Sequence, residues 1–312
     1  MTRLILALAA LVLASVPYWL GGGALALVTE MLILLAIAQS WNLLAGFGGL
    51  LSLGHHAFVA IGAYLLFAVT RDLPISPYAM IPFCGVGAAL LALVLTPILF
   101  RLREVYFAVG MWVAAEIVKI VVSRMDYFGA SSGLPLFAAR RIDTSLLPSM
   151  GYWLALALTA GLCVGLWWLG RSPWGLHVHA MRDDEIAARS LGVKTGRIKA
   201  LLFILSAAGS GMAGAIGFMG SLYVSPIAAF DINWTVYAIF ICVIGGLGTI
   251  RGPVIGVMLF VALREALSAS PGWNLIALGL IAMLLMIFAP RGIDGLIPRL
   301  GNLASKRHFK EG

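Results

Sequence analysis

The feature that most constrains this chain is the recurrence of apolar runs of about twenty residues, the length a helix needs to cross the ~30 Å hydrocarbon core of a bilayer. Candidate spans are Leu4–Leu20, Leu25–Leu44, Leu50–Val69, Tyr78–Phe100, Val105–Ser123, Tyr152–Gly170, Leu201–Tyr223, Trp234–Ile250, Gly252–Leu267 and Trp273–Ala289. The ninth is short and glycine-rich and could re-enter the same side. The expectation is therefore an all-α, polytopic transmembrane bundle of about 8–10 spans, one domain over residues 1–312. Composition agrees: 62% of residues are hydrophobic and 11% charged, with a mean hydropathy of +1.02. Soluble domains run near 45–50% apolar and about 25% charged. So few charges cannot cover a water-exposed surface, which makes lipid the principal solvent and excludes an ordinary soluble enzyme.

Arg3 followed by an apolar run resembles a secretory leader. No clear A-x-A site precedes Pro17 and a second span begins almost at once, so a retained first helix is the preferred reading. Orientation follows from Lys and Arg, which collect on the cytoplasmic side. With ten spans and an inner N-terminus, the inner loops hold Arg3, Arg101, Arg103, Arg171, Arg182, Arg189, Lys194, Arg197, Lys199 and Arg251. The tail 290–312 adds Arg291, Arg299, Lys306, Arg307 and Lys310, against only Arg71, Arg140 and Arg141 outside. Both termini are thus expected in the cytoplasm. The net charge of +8 is explained by this asymmetry rather than by a nucleic-acid partner. The three cysteines, Cys84, Cys163 and Cys242, are scattered through apolar runs and offer neither a disulfide framework nor a metal spacing. His177 and His179 lack a third ligand, so no metal is expected.

Two hydrophilic segments interrupt the spans, 126–151 outside and 171–199 inside. The outer one carries the flexible, turn-rich stretch Gly129-Ala130-Ser131-Ser132-Gly133. Within the membrane, Ser206, Ser210 and Gly214 recur at four-residue spacing, which fits either close helix packing or a pathway. Gly46, Gly48, Gly49 and Gly54 predict a bent or broken helix, tolerated at that depth only inside protein or beside a water-filled cavity. Asn42, Ser52, His55 and His56 bracket the break, and Asn42, Ser52 and His55 are candidate pathway-lining residues. Glu116 is a fourth, with Lys119 three residues on. An unpaired charge there costs about 2.5–3.5 kcal/mol, so Glu116 faces either water or Lys119. Gly48–Leu53 also faintly echoes Gly245–Ile250, a weak sign of an internal repeat.

The inner loop is the most informative segment. Arg182-Asp183-Asp184-Glu185-Ile186-Ala187-Ala188-Arg189-Ser190-Leu191-Gly192 opens on three acids and closes on glycine, the pattern of a short helix of about two turns. Ile186, Ala187, Ser190 and Leu191 share one face. The small residues Ala187, Ala188 and Ser190 suit close contact with a soluble partner better than lipid headgroups. Ala188→Arg is the change expected to abolish such docking.

Glu185-x-Ala187-Ala188-x-x-x-Gly192 resembles the coupling loop of ABC importer permeases. The wider run from Ser172-Pro173-Trp174-Gly175 through Ala180-Met181-Arg182 to Leu191-Gly192-Val193 is similar to the branched-chain amino acid permease family, M-type subunit. Trp41-Asn42-Leu43-Leu44-Ala45-Gly46, Gly49-x-x-Ser52-x-Gly54-His55-x-Ala57-Phe58, Gly245-Gly246-x-Gly248-Thr249-x-x-Gly252-Pro253 and Pro290-x-Gly292-Ile293-x-Gly295 extend the likeness over most of the chain. Two places depart from it: Leu176 stands where the family usually carries a basic residue, and Gly129–Leu134 is looser than the usual Gly-Gly motif.

The resemblance implies a permease of the inner membrane that moves branched-chain or related amino acids by alternating access. It implies as partners a homologous second permease, two cytoplasmic ATPase subunits and an extracytoplasmic substrate-binding protein, with Arg182, Asp183, Asp184, Glu185, Ile186, Ala187, Ala188, Leu191 and Gly192 forming the ATPase-coupling loop. The chain has no G-x-x-x-x-G-K-[ST] loop to cradle phosphates. ATP and Mg are accordingly expected on the partner subunits, with no cofactor and no enzyme activity in this chain. Related permeases carry urea or short amides, an alternative that stays open. An ion-coupled secondary transporter is a further one, weakened by Glu116 being the single midspan acid considered.

Overall fold

The computed structural model describes residues 12–102, 105–267, 279–280, 283–284 and 292–295. Residues 4–11 of the first expected span, most of the tenth span, both termini and nearly all of the tail lie outside these residues. The described chain is helical. α1 (Gly22–Asn42) continues through a wide turn, Leu43–Phe47, and is followed by α2 (His56–Asp72), α3 (Pro77–Leu99) and α4 (Val105–Arg124). Then come α5 (Leu147–Arg171), α6 (Pro173–Asp183), α7 (Glu185–Ser190) and α8 (Thr195–Ser221), and finally α9 (Pro226–Ala229), α10 (Asn233–Gly245) and α11 (Arg251–Ala266).

Among the described residues, six segments are long and apolar enough to cross a membrane: Gly22–Phe47, Pro77–Leu99, Val105–Arg124, Thr144–Arg171, Thr195–Ser221 and Pro226–Gly245. α2 and α11 fall where spans are expected but hold 17 and 16 residues. The expectation of helix from Leu50 is corrected: residues 48–55 are non-helical and α2 begins only at His56. Gly49, with φ of 69°, takes the left-handed turn that starts this break.

α8, about 40 Å long, is the central post against which α1, α2, α3 and α5 pack. Its small residues allow this. A Cβ at Gly214 would strike the Val59 carbonyl of α2, and one at Gly62 of α2 would strike the Gly211 carbonyl. Backbones therefore meet directly, which is how helices associate where no water is available to be expelled. Ser206 and Ser210 are fully buried in the same stripe. Close packing, rather than an open pathway, accounts for it.

One end of the bundle gathers Arg171, Arg182, Lys194, Arg197, Lys199 and Arg251 and is called the basic end here. At the distal end, 126–146 forms short 3-10 turns and a two-stranded pair, β1 (Leu134–Pro135) with β2 (Tyr223–Val224). Tyr127 ties these turns to α2, its hydroxyl donating to Asp72 at 2.8 Å while Arg71 stacks on its ring at 4.6 Å.

Candidate functional site

At the basic end the chain from α5 turns into a cap made of α6 and α7. Pro173 starts α6, and Ser172 caps it by accepting the Gly175 N–H. α6 holds Arg182 and Asp183 as its last residues. The three acids thus do not open one helix: the chain kinks at Asp184, whose carboxylate caps α7 by accepting the N–H groups of Ile186 and Ala187 at 2.9 and 3.0 Å. α7 runs only from Glu185 to Ser190 and ends at Gly192, which has φ of 88° and supplies the expected glycine stop.

α7 is seated by one apolar and one ionic contact. Ala188 is buried with Leu43, Phe47, Leu166, Val178, Met181, Ile198 and Leu202, a small core shared by the cap, the wide turn of α1 and the ends of α5 and α8. This corrects the expectation that Ala188 belongs to a docking face: an arginine there would unseat the helix. Glu185 bonds Lys199 of α8 at 2.6 Å and Arg189 at 3.0 Å. Burial alone would raise the Glu185 carboxyl, but the hydrogen bond and charge of Lys199, with Thr195 and Arg189, outweigh it and hold it below the usual carboxylate range. The opposite face projects Ile186 and Leu191, 81% and 84% exposed, flanked by exposed Ala187 and Ser190.

The cap is in physical contact with the helix break. Arg182 lies against Gly248, where any Cβ would meet its guanidinium. Gly248 belongs to the turn between α10 and α11, and Asn42 of α1 grips that turn, accepting the Gly248 N–H at 2.8 Å and donating to the Thr249 carbonyl at 2.9 Å. Gln39, one turn earlier, donates to the Ile250 carbonyl at 2.8 Å. Gly46, two residues before the first of the echoing glycine segments, packs on the Gly248 backbone of the second. Residues 292–295 join the same turn, Ile293 and Asp294 donating to the Ile244 and Gly245 carbonyls at 3.0 and 2.9 Å.

Deeper in, the break is sealed by a polar chain. Ser206 donates to the Ser40 carbonyl at 2.6 Å, so its oxygen accepts from His55 Nε2–H at 2.6 Å. His55 Nδ1 then accepts from Ser52 Oγ at 2.9 Å, and Trp41 donates to the Ser52 carbonyl at 2.8 Å. Asn42, Ser52 and His55 are fully buried in these contacts. Glu116 is not brought to this network. It sits on α4 beside Lys119 at 3.5 Å, with side-chain exposures of 40% and 34%. Among the described residues no cluster of His, Cys, Asp or Glu could hold a metal ion, and His177 and His179 are exposed.

Sequence reading missed Glu30, Gln39 and the partner of Arg264. Arg264, which its position near a span end marks as a snorkelling residue, instead binds Glu30 bidentately. A single acid inside the apolar run Leu25–Leu44 is the signal that identifies it.

These features define a class before any comparison: a multi-pass membrane protein in which a cap at the basic end is packed onto a break in a spanning helix. Comparison with known proteins gives the family. Residues 23–290 match the model of the branched-chain amino acid transport system permease component, and the chain belongs to that family. It is a permease component of the ABC transporter class and not itself an enzyme. It is 28% identical to the high-affinity branched-chain amino acid transport system permease protein LivM of Escherichia coli K12, over 89% of this chain and 71% of that protein. It is 26% identical to the autoinducer 2 import system permease protein LsrC of Yersinia pseudotuberculosis serotype O:1b, over 75% and 73%. No solved structure matches the chain.

Proposed function

We propose that this chain forms half of the translocation pathway of an ABC importer for branched-chain or related amino acids in the inner membrane, with the basic end in the cytoplasm. The reading rests on one observation: α7 is held rigidly to the permease by Ala188 and Glu185 while Ile186 and Leu191 stand out into solvent. Two large apolar side chains exposed beside Asp183, Asp184 and Arg189 form a knob suited to an apolar cleft. An ATPase subunit is the occupant, because the chain carries no nucleotide loop of its own. A homologous second permease, a second ATPase and an extracytoplasmic binding protein complete the transporter. Closure of the ATPases would push α7, and Arg182 and the small core beneath Ala188 would pass the displacement to the Gly248 turn and the wide turn of α1. Packed elements shift between discrete arrangements rather than bending, which suits alternating access.

The test is ATP-dependent uptake of leucine, isoleucine and valine by vesicles holding the co-expressed transporter. Ile186→Asp and Leu191→Asp should each remove the ATPase subunits from the purified complex and abolish uptake while leaving the permease inserted. Uptake that survives ATP removal with an ion gradient intact would overturn the ABC mechanism. Uptake of urea or a short amide with none of these amino acids would keep the mechanism and change the solute.

A further inference from the structure

Two guanidinium groups among the described residues sit over aromatic rings, and they differ in one respect. Arg71 lies over Tyr127 and also pairs with Asp72 at 2.8 Å, so its charge is compensated. Arg171 lies 4.1 Å from the centre of the Trp167 ring and has no ion-pair partner among the described residues. The unpaired cation stands at a corner of the fold. Arg171 ends α5, whose apolar run Thr144–Arg171 is long enough to cross a membrane, and α6 begins at Pro173. A Cβ at Gly175 would strike the Leu169 carbonyl, so the first turn of α6 is held against the end of α5. Val178 and Met181 then enter the small core beneath the cap, which lays α6 across the end of the bundle.

The corner is rich in indole. Trp167, Trp168 and Trp174 are all exposed, and Leu176 projects beyond them. On α5, Val164, Trp168 and Arg171 are exposed at the i, i+4 and i+7 positions of one face. An exposed apolar face on a spanning helix meets acyl chains, and tryptophan at the helix end sits at the depth of the headgroups. The indole N–H groups of Trp41, Trp153 and Trp234 donate to carbonyls of the chain. Those of Trp167, Trp168 and Trp174 have no acceptor among the described residues, and each is free to meet one from outside. The nearest acids in sequence, Asp183 and Asp184, lie beyond α6, about 15 Å along its axis from its start.

We propose that the corner between α5 and α6 binds the phosphate of an anionic phospholipid in the leaflet at the basic end. Arg171, steadied by Trp167, presents the edge of its guanidinium to the phosphate oxygens, a geometry that a planar fork of donors suits. Trp168 and Trp174 add indole N–H donors and cover the glycerol backbone, while the acyl chains run along the face of Val164. A choline or ethanolamine headgroup brings its own cation beside the phosphate, which leaves Arg171 less to compensate. A headgroup without a cation is therefore preferred. The lipid pins the membrane side of α6, the helix whose Val178 and Met181 help to seat α7. Neither the solute nor the ATPase contact enters this inference.

The experiment uses the full-length chain purified in a neutral detergent. Its thermal midpoint is followed as phosphatidylglycerol, phosphatidylcholine or inorganic phosphate is added. Phosphatidylglycerol should raise the midpoint and saturate, and the other two should not. Arg171→Gln should weaken the apparent affinity for phosphatidylglycerol about fivefold, the contribution of one arginine beside an anionic lipid surface. Trp174→Leu, an exposed position, should weaken it as well and serves if Arg171→Gln does not fold. Arg197→Gln changes an exposed arginine at the same end, on the first turn of α8, and should leave the affinity unchanged. Each variant is compared with itself without lipid, so a lower starting midpoint does not mask the response. An equal response to phosphatidylcholine would refute the charge selectivity, and an equal response to inorganic phosphate would replace the lipid by a free anion. Native affinity in both corner variants would refute the site. An equal loss in Arg197→Gln would do the same, by making the effect a property of the whole basic end.

Discussion

Arg264 of α11 clasps Glu30 of α1 through two parallel hydrogen bonds, Nη1 to Oε1 at 2.6 Å and Nη2 to Oε2 at 2.8 Å. Both residues lie within apolar helices, and the planar guanidinium meets both carboxylate oxygens at once. Removing one partner leaves the other charge without compensation in a low-dielectric setting. Glu30→Leu or Arg264→Leu alone should destabilise the protein by about 2–3 kcal/mol. The double change, which removes both charges, should recover most of that loss. Unfolding of the purified protein in mixed micelles, followed by tryptophan fluorescence, measures all three. Equal destabilisation by the single and double changes would show that the clasp contributes packing rather than charge pairing.

Asn42 fixes the turn between α10 and α11 by acting as acceptor for Gly248 and donor to Thr249. Asn42→Asp keeps the acceptor and loses the donor, while Asn42→Ala loses both. Each buried hydrogen bond contributes about 1 kcal/mol. The carboxylate of Asp also buries a charge beside the Thr249 carbonyl, so the expected order of stability is native, then Ala with a drop of about 2 kcal/mol, then Asp. Amide hydrogen exchange across 246–250 should accelerate in the same order. No change in Asn42→Ala would remove this residue from the path between cap and helix break.

Much of this architecture was legible in the sequence, and what was not has identifiable causes. Hydropathy located α3 and α4 to within one residue, because each is a long apolar run closed by charge or proline, and placed α5 and α8 but began them five and six residues late. Residues 50–55 read as the start of a span since Leu50, Leu51 and Leu53 are as apolar as any helix. Their non-helical path is set by Trp41 and Ser206, which bind Ser52 and His55 from other segments. Glycines signalled a break but not its extent. Helical spacing marked the outward face of α7, Ile186, Ala187, Ser190 and Leu191, but no local pattern showed that Ala188 packs into a core built from distant segments. The seating of α10 on the start of α2 depends on His56 and Thr235, 179 residues apart, and no local pattern records such a pair.

The seat of α7 should respond to acid. The carboxyl of Glu185 is held below its ordinary value in the folded protein by Lys199, so the unfolded or undocked state binds its proton more readily. The seat is at full strength above the ordinary carboxylate range and weakens as pH falls through the lowered folded value. A nitroxide attached at Ile186→Cys should report slow motion at neutral pH and faster motion in acid. Glu185→Gln should show the faster motion at neutral pH already and lose the pH dependence. A native protein whose label stays slow in acid would mean that Ala188 alone holds the helix.

Glycine positions on the central contact make the sharpest stability test, because two of them differ in one respect. A Cβ at Gly62 would fall on the Gly211 carbonyl of α8, a backbone atom that cannot rotate away. A Cβ at Gly217 would meet Ile33 side-chain carbons at 3.6 and 3.7 Å, ordinary contact distances. Gly62→Ala must therefore push α2 and α8 apart, and should cost about 1–3 kcal/mol, as overpacking does. Gly217→Ala places its methyl in available space and removes backbone freedom from the unfolded chain, so it should stabilise by about 0.4–1 kcal/mol. Thermal midpoints of the two variants in the same detergent should move in opposite directions. Equal and opposite-to-expected shifts, or no loss in Gly62→Ala, would show that α2 and α8 are free to separate and that their close approach is not what holds the bundle around α8.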